Sequence, residues 1–147
     1  MSYVSGTAWT PALVPNLAGS DILIAGFGNT CQDDYSKMRY NSDCLGYFGT
    51  YSLMEQVAPK LLLCCEFGGR EGDIRMEVVK KMRQEHAYGS KQQTVILPGD
   101  TGVCVDLRHL LLCCSVSRQL VDPSQVRVTK SDSAFGPLAY LSPSSVV

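Results

Sequence analysis

The chain has 147 residues, of which 45% are hydrophobic and 18% are charged. These values predict one globular core, with at most a short appendage, and exclude a disordered chain. Thirteen basic and fourteen acidic residues give a net charge of −1 without a basic tract, which argues against a nucleic-acid surface but leaves open a nucleotide held by metal ions. No apolar run approaches the roughly 20 residues that span a bilayer, so no membrane helix is expected.

The cysteines and the N-terminal segment indicate a reducing compartment. The seven cysteines are odd in number, and two pairs are adjacent in sequence, Cys64–Cys65 and Cys113–Cys114. The N-terminal segment lacks the positive start and apolar core of a signal peptide. We therefore expect a cytoplasmic protein with buried free thiols and no intramolecular disulfide.

The first third of the chain predicts one buried strand and one short helix. Residues 1–19 contain two prolines and several small polar residues, and an irregular lead-in is expected there. Residues 21–27 form a continuous apolar run, which is typical of a strand buried on both faces. Residues 28–50 are polar and loop-like. A helix of about two turns is predicted over residues 51–57, because Pro59 prevents its continuation.

A second buried strand is predicted over residues 61–66, ahead of the clearest helix, over about 73–87. The Asp73 carboxylate is placed to cap this helix by accepting bonds from its first free N–H groups. Gly89 is placed to end it. The buried face of the helix is predicted from apolar residues spaced by four, namely Ile74, Val78 and Met82.

Short strands are predicted beyond this helix, over residues 94–97, 102–107 and 110–114, and near Val128 and Tyr140. Helices between buried strands imply crossover connections, so we expect an α/β fold with a largely parallel or mixed sheet. The C-terminal part is expected to form a small antiparallel β unit.

Three segments carry a resemblance to a known family: SDILIAGFGNT, then DCLGYFGTYSLMEQVAPKLLLCCEFGGREGDIRMEVVKKM, then TVILPGDTGVCVDL. Over roughly residues 19–107 their order resembles the C-terminal half of metallo-β-lactamase-fold hydrolases, which include nucleases and phosphodiesterases. The resemblance implies a partial αββα fold. We therefore expect the lead-in at residues 1–19, a metallo-β-lactamase-like domain at 20–112 and a small β tail at 113–147.

The resemblance also implies a two-metal site, built by that family mainly from a His-x-His-x-Asp-His motif. This chain has only His86 and His109, and neither lies in such a motif. Cys44 stands where the family has a histidine before Leu-Gly, and Cys65–Glu66 stand where a strand of the family ends with a ligand histidine. Cysteine and glutamate can bind metal, so three alternatives are open: the site is altered, it is lost, or it was never in this half.

An altered site has few candidates in this sequence. The catalytic candidates are Cys44, Glu66 and Asp100. The metal-ligand candidates are Cys44, Cys65, Glu66 and Cys114, with zinc or manganese as the ion. Asp33, Asp34 and Asp100 are further candidates for acidic ligands, but solvated loop carboxylates are the default interpretation of these residues. His86 is expected on a charged helix face.

The tail resembles a degenerate zinc ribbon. Cys114 and Ser117 have the spacing of a C-x2-C pair, and residues 142–145 have the spacing of C-P-x-C. Serine occupies three of the four positions where a zinc ribbon has cysteine. One thiolate cannot hold a structural zinc ion, so no zinc is expected there. An ordinary serine-rich tail with a chance frame is the alternative.

These observations predict a partial or degenerate metallo-β-lactamase-like domain that is not active alone. It would act by association with a protein partner or a second copy, because an isolated half exposes a sheet edge and face. One alternative is a metal-dependent hydrolase of phosphodiesterase or nuclease type with an altered site. Another is a small interaction module that shares only the topology.

Overall fold

The computed structural model describes residues 1–29, 34, 36, 38–68, 74–89, 93–99, 103–114, 120–125, 127–129 and 139–141. The chain forms two compact units, residues 1–98 and residues 99–147. Within the described residues, no helix is both long and apolar enough to cross a bilayer.

A four-stranded parallel sheet forms the centre of the first unit. Its strands are β1 (Ser2–Val4), β2 (Ile22–Asn29), β3 (Leu61–Gly68) and β4 (Val95–Pro98), in the order β1-β2-β3-β4. The register pairs Ile22 with Leu61, and Leu61 with Val95. The predicted strands at 21–27, 61–66 and 94–97 are thus confirmed as members of one sheet, and the α/β class is confirmed with them.

Three described helices follow the first three strands: α1 (Leu13–Leu17), α2 (Gly46–Val57) and α3 (Arg75–Gly89). When the order of parallel strands in the sheet is the same as their order in sequence, right-handed crossovers place all the connecting helices on one face of the sheet. The main apolar cluster accordingly joins one side of β2 with the inner faces of α2 and α3. The residues that carry most of it are Leu23, Ala25, Phe27, Leu53, Met54, Val78 and Met82. The predicted stripe on α3 is therefore buried.

The structure corrects the sequence prediction at the N-terminus and at α2. Residues 1–19 are not irregular throughout, because they contain β1 and α1, two elements too short to give a hydrophobic period. Helix α2 begins at Gly46 rather than at residue 51. Its first turn was missed because two glycines there give the local sequence a low helix propensity. A Cβ at Gly49 would lie 2.9 Å from the Cβ of Trp9, so the glycine permits close packing there.

The second unit is antiparallel, as predicted. Strands β5 (Val103–Asp106), β6 (Leu111–Cys114) and β7 (Leu120–Val121) form one sheet, and β8 (Arg127–Thr129) pairs with β9 (Ala139–Leu141) in another. A short 3-10 helix, Pro123–Gln125, lies between β7 and β8.

Candidate functional site

A cleft with a volume of about 480 Å³ lies at the carboxyl ends of β2 and β3. It is lined by Gly28 and Asn29 of β2, by Asn41, Asp43 and Cys44 before α2, and by residues 66–68 of β3. Open α/β sheets bind their ligands beyond the carboxyl ends of the strands. The cleft brings together Cys44 and Glu66, two candidates that lie far apart in sequence, and it is therefore the candidate functional site.

Glu66 has an unusual backbone and a fully engaged carboxylate. Its φ of 52° lies in the left-handed region, which non-glycine residues seldom adopt. Its carboxylate oxygens accept hydrogen bonds from the hydroxyls of Tyr3, in β1, and Ser5, the residue after β1. These bonds connect the β1 segment to β3 across the intervening strand β2. A Cβ at Gly26 would lie 2.6 Å from both the Glu66 carboxylate and the Ser5 hydroxyl, so the glycine leaves room for this contact.

The electrostatics of Glu66 follow from these bonds. The Ser5 and Tyr3 hydroxyls stabilise the ionised carboxylate and hold the pKa of Glu66 below its ordinary value. The same carboxylate raises the pKa of Tyr3, because it accepts that hydroxyl proton. Glu66 is thus an exposed, ionised carboxylate whose oxygens serve to join strands.

Glu66→Gln should remove a pH-dependent contribution to stability. A pKa that is lower in the folded than in the unfolded state stabilises the fold above the ordinary glutamate pKa, and the contribution disappears as pH falls through the folded-state value. Urea unfolding from about pH 7 down to about pH 3 should therefore show the wild type losing its advantage over the variant at low pH. Glu77→Gln, an exposed change on α3, is the control. If the wild type exceeded Glu66→Gln in free energy of unfolding by the same amount at both ends of this pH range, the lowered pKa of Glu66 would be contradicted.

Cys44 lies in a turn that Asn41 organises. The Asn41 side-chain carbonyl accepts the backbone N–H groups of Asp43, at 2.9 Å, and Cys44, at 3.2 Å. The Asn41 side-chain amide donates to the carbonyl of Asn29, 3.1 Å away, and the Cys44 thiol donates to the same carbonyl at 3.6 Å. The turn therefore fixes Cys44 against the end of β2.

The Cys44 thiol is held in its protonated form. Burial raises the pKa of Cys44, and the nearby Asp34 and Asp43 carboxylates act in the same direction. Metal binding and nucleophilic attack both require the thiolate, so a raised pKa disfavours both roles at neutral pH. In the structure, Cys44 packs against the end of β2 within the Asn41 turn.

Cys65 lies outside the cleft lining. Its thiol donates to the Ala25 carbonyl at 3.5 Å, and burial, with a further contribution from Glu66, raises the pKa of Cys65 to about 11. Its neighbour Cys64 is fully buried in the main cluster on the other face of β3. Cys44, Cys64, Cys65 and Cys104 have free thiols.

Other candidates lie in the second unit or are outside the described residues. Asp33, Asp73, Asp100, Ser117 and the serines at 142–145 are outside them. Cys114 lies in β6, in register with Val103. His109 is exposed and its Nδ1 lies 3.1 Å from the Asp106 carboxylate. In the part of the chain that the structure describes, no three His, Cys, Asp or Glu side chains converge as a metal site would require.

Sequence reasoning missed Tyr3, Ser5, Asn29 and Asn41. The alternation of Tyr3 with Ser5 was the signal for a strand that directs both hydroxyls to one face, but it spans too few residues to stand out. Asn41 two residues before Asp43 is the usual pattern of a side chain that closes a turn. Comparison of the chain with protein-family models, curated proteins and solved structures found no match.

Proposed function

We propose that this chain is a partial metallo-β-lactamase-like domain that does not hydrolyse phosphodiesters alone and acts by association with a protein partner or a second copy. One observation carries the proposal. Glu66 and Cys44, which stand where the family resemblance implies metal ligands, both use their polar side-chain atoms in hydrogen bonds within the chain. These two positions are therefore assigned to the architecture of the cleft.

Zinc or manganese does not fit these residues. An ion at Glu66 would compete with the two hydroxyls that already share the carboxylate, and an ion at Cys44 would first have to displace a proton from a thiol whose pKa is raised. A metal-bound hydroxide needs several imidazole or carboxylate ligands around one ion. The proposal therefore includes no metal-dependent step.

The edges of the parallel sheet support the association. Among the described strands, β1 and β4 are at opposite edges and each pairs with one neighbour only. An edge strand offers unpaired N–H and C=O groups to another chain. Tyr3, on β1, is 57% exposed.

A second candidate is a metal-dependent hydrolase with an altered site. The meeting of Cys44 and Glu66 in one cleft favours it. The two candidates make opposite predictions for the same pair of substitutions, because only the hydrolase needs these side chains for turnover.

We expect hydrolysis of bis(p-nitrophenyl) phosphate, with zinc or manganese added, to equal the protein-free rate for the wild type, Cys44→Ala and Glu66→Gln alike. The reason is that neither side chain is available to hold an ion that would activate water. The controls are Cys104→Ala, at an exposed thiol of β5, and Glu77→Gln on α3. Metal-stimulated turnover that both controls keep, and that either cleft variant loses, would establish the second candidate.

A further inference from the structure

His86 is buried and bonded on both sides of its ring. It lies in the last turn of α3 and is 8% exposed, which corrects the expectation of a charged, solvent-facing position. Its Nδ1 lies 2.9 Å from a carboxylate oxygen of Glu55 on α2. Its Nε2 lies 3.1 Å from the backbone nitrogen of Thr94, which precedes β4. One imidazole thus joins two helices to the start of an edge strand.

The partners of the ring fix its protonation state. A backbone N–H can only donate, so Nε2 must present a lone pair to Thr94. Glu55 can only accept when ionised, so the single proton of the neutral ring is on Nδ1 and is donated to that carboxylate. The bond pattern therefore requires neutral imidazole in one tautomer.

Glu55, from α2, is the charged group that bonds the ring within the described residues. Arg83, one turn earlier on α3, directs its Nε to the Ile96 carbonyl at 2.7 Å. Lys60, from the segment before β3, pairs with Asp21 at 2.8 Å.

Hydrogen bonds of both Thr94 and Val95 hold the start of β4. The Thr94 hydroxyl donates to the Pro59 carbonyl at 2.7 Å, and the Val95 N–H donates to the Lys60 carbonyl at 2.9 Å. Neither of these two bonds involves a titratable side chain. The bond from the Thr94 N–H to His86 does.

We propose that His86 is a pH-sensitive clasp that holds the start of β4 when neutral and releases it when protonated. A proton taken from solvent onto Nε2 places a donor opposite the Thr94 N–H, so that hydrogen bond is lost. The Nδ1–H keeps its bond to Glu55, which now pairs with a cation. Acidification therefore loosens the entry to an edge strand of the sheet without disrupting the contact between α2 and α3.

Amide hydrogen exchange measured by NMR tests the clasp. Between about pH 8 and about pH 5, the protection of the Thr94 amide, corrected for intrinsic exchange, should fall about tenfold, the factor expected for losing one hydrogen bond. His86→Gln is the matched variant, because its side chain can accept from Thr94 and donate to Glu55 but cannot titrate in this range. Its Thr94 protection should stay constant.

An unchanged Thr94 protection in the wild type would overturn the proposal, as would an equal fall in His86→Gln. If His86→Gln does not fold, Glu55→Gln decides. It keeps an acceptor for Nδ1–H but removes the negative charge, so the release of the Thr94 amide should move to lower pH. Release at the same pH as in the wild type would contradict the clasp.

Discussion

Val78→Asp is expected to lower the free energy of unfolding by roughly 3–5 kcal/mol, the cost of an uncompensated buried charge. Val78 is 0% exposed and lies in the cluster between α3 and the sheet. Its neighbours in that cluster are apolar, so an aspartate there loses hydration without gaining a partner. Urea unfolding followed by circular dichroism measures the loss.

Lys80→Asp is the matched control for this prediction. Residue 80 is exposed on the same helix, so a new carboxylate there stays hydrated and should change stability by no more than about 0.5 kcal/mol. Equal unfolding midpoints for Val78→Asp and Lys80→Asp would show that α3 does not pack through this stripe.

Gly28→Ala is expected to cost roughly 2–4 kcal/mol, the sum of backbone strain and overpacking. Gly28 has a φ of 72°, where a side chain is strained. A Cβ at this position would also lie closer than 3.0 Å to the Cβ of Cys44, which lines the same cleft. Two independent causes therefore act at one residue. The measurement is again urea unfolding.

The control and a double variant separate the two causes. Gly89→Ala adds a methyl group where nothing lies within 4 Å, and should be close to neutral. Cys44→Gly removes the atom that Gly28→Ala would meet, so the double variant should be more stable than the sum of the two single effects predicts. Strict additivity would mean that Gly28 and Cys44 are not in contact.

The elements that could be predicted from the sequence are those whose burial leaves a long pattern. Strands β2 and β3 are continuous apolar runs, and the spacing of Ile74, Val78 and Met82 identifies the inner face of α3. Strand β1 has three residues, and α2 begins with two glycines in its first turn. Such segments form a strand or a helix because of tertiary contacts, which leave no periodic pattern in the local sequence.

Sequence reasoning singled out two residues of the cleft, Cys44 and Glu66, but not the bonds that hold them. Both are candidates because the family resemblance implies histidines near these positions, and both line the cleft at the carboxyl ends of β2 and β3. The alternation of side chains along a strand predicts that Cys64 and Cys65 face opposite ways, which their separate environments confirm. The bonds from Tyr3 and Ser5 to Glu66 depend on contacts across more than 60 positions of sequence.

The metal content of the purified protein tests the central claim most directly. After incubation with zinc or manganese and removal of free ions, elemental analysis should find far less than one ion per chain in the wild type, with no change in Cys44→Ala or Glu66→Gln. The result follows because the cleft carboxylate is shared by two hydroxyls and the cleft thiol is protonated. One or two ions per chain, lost in either variant, would show that these residues bind metal and that the cleft is a metal centre.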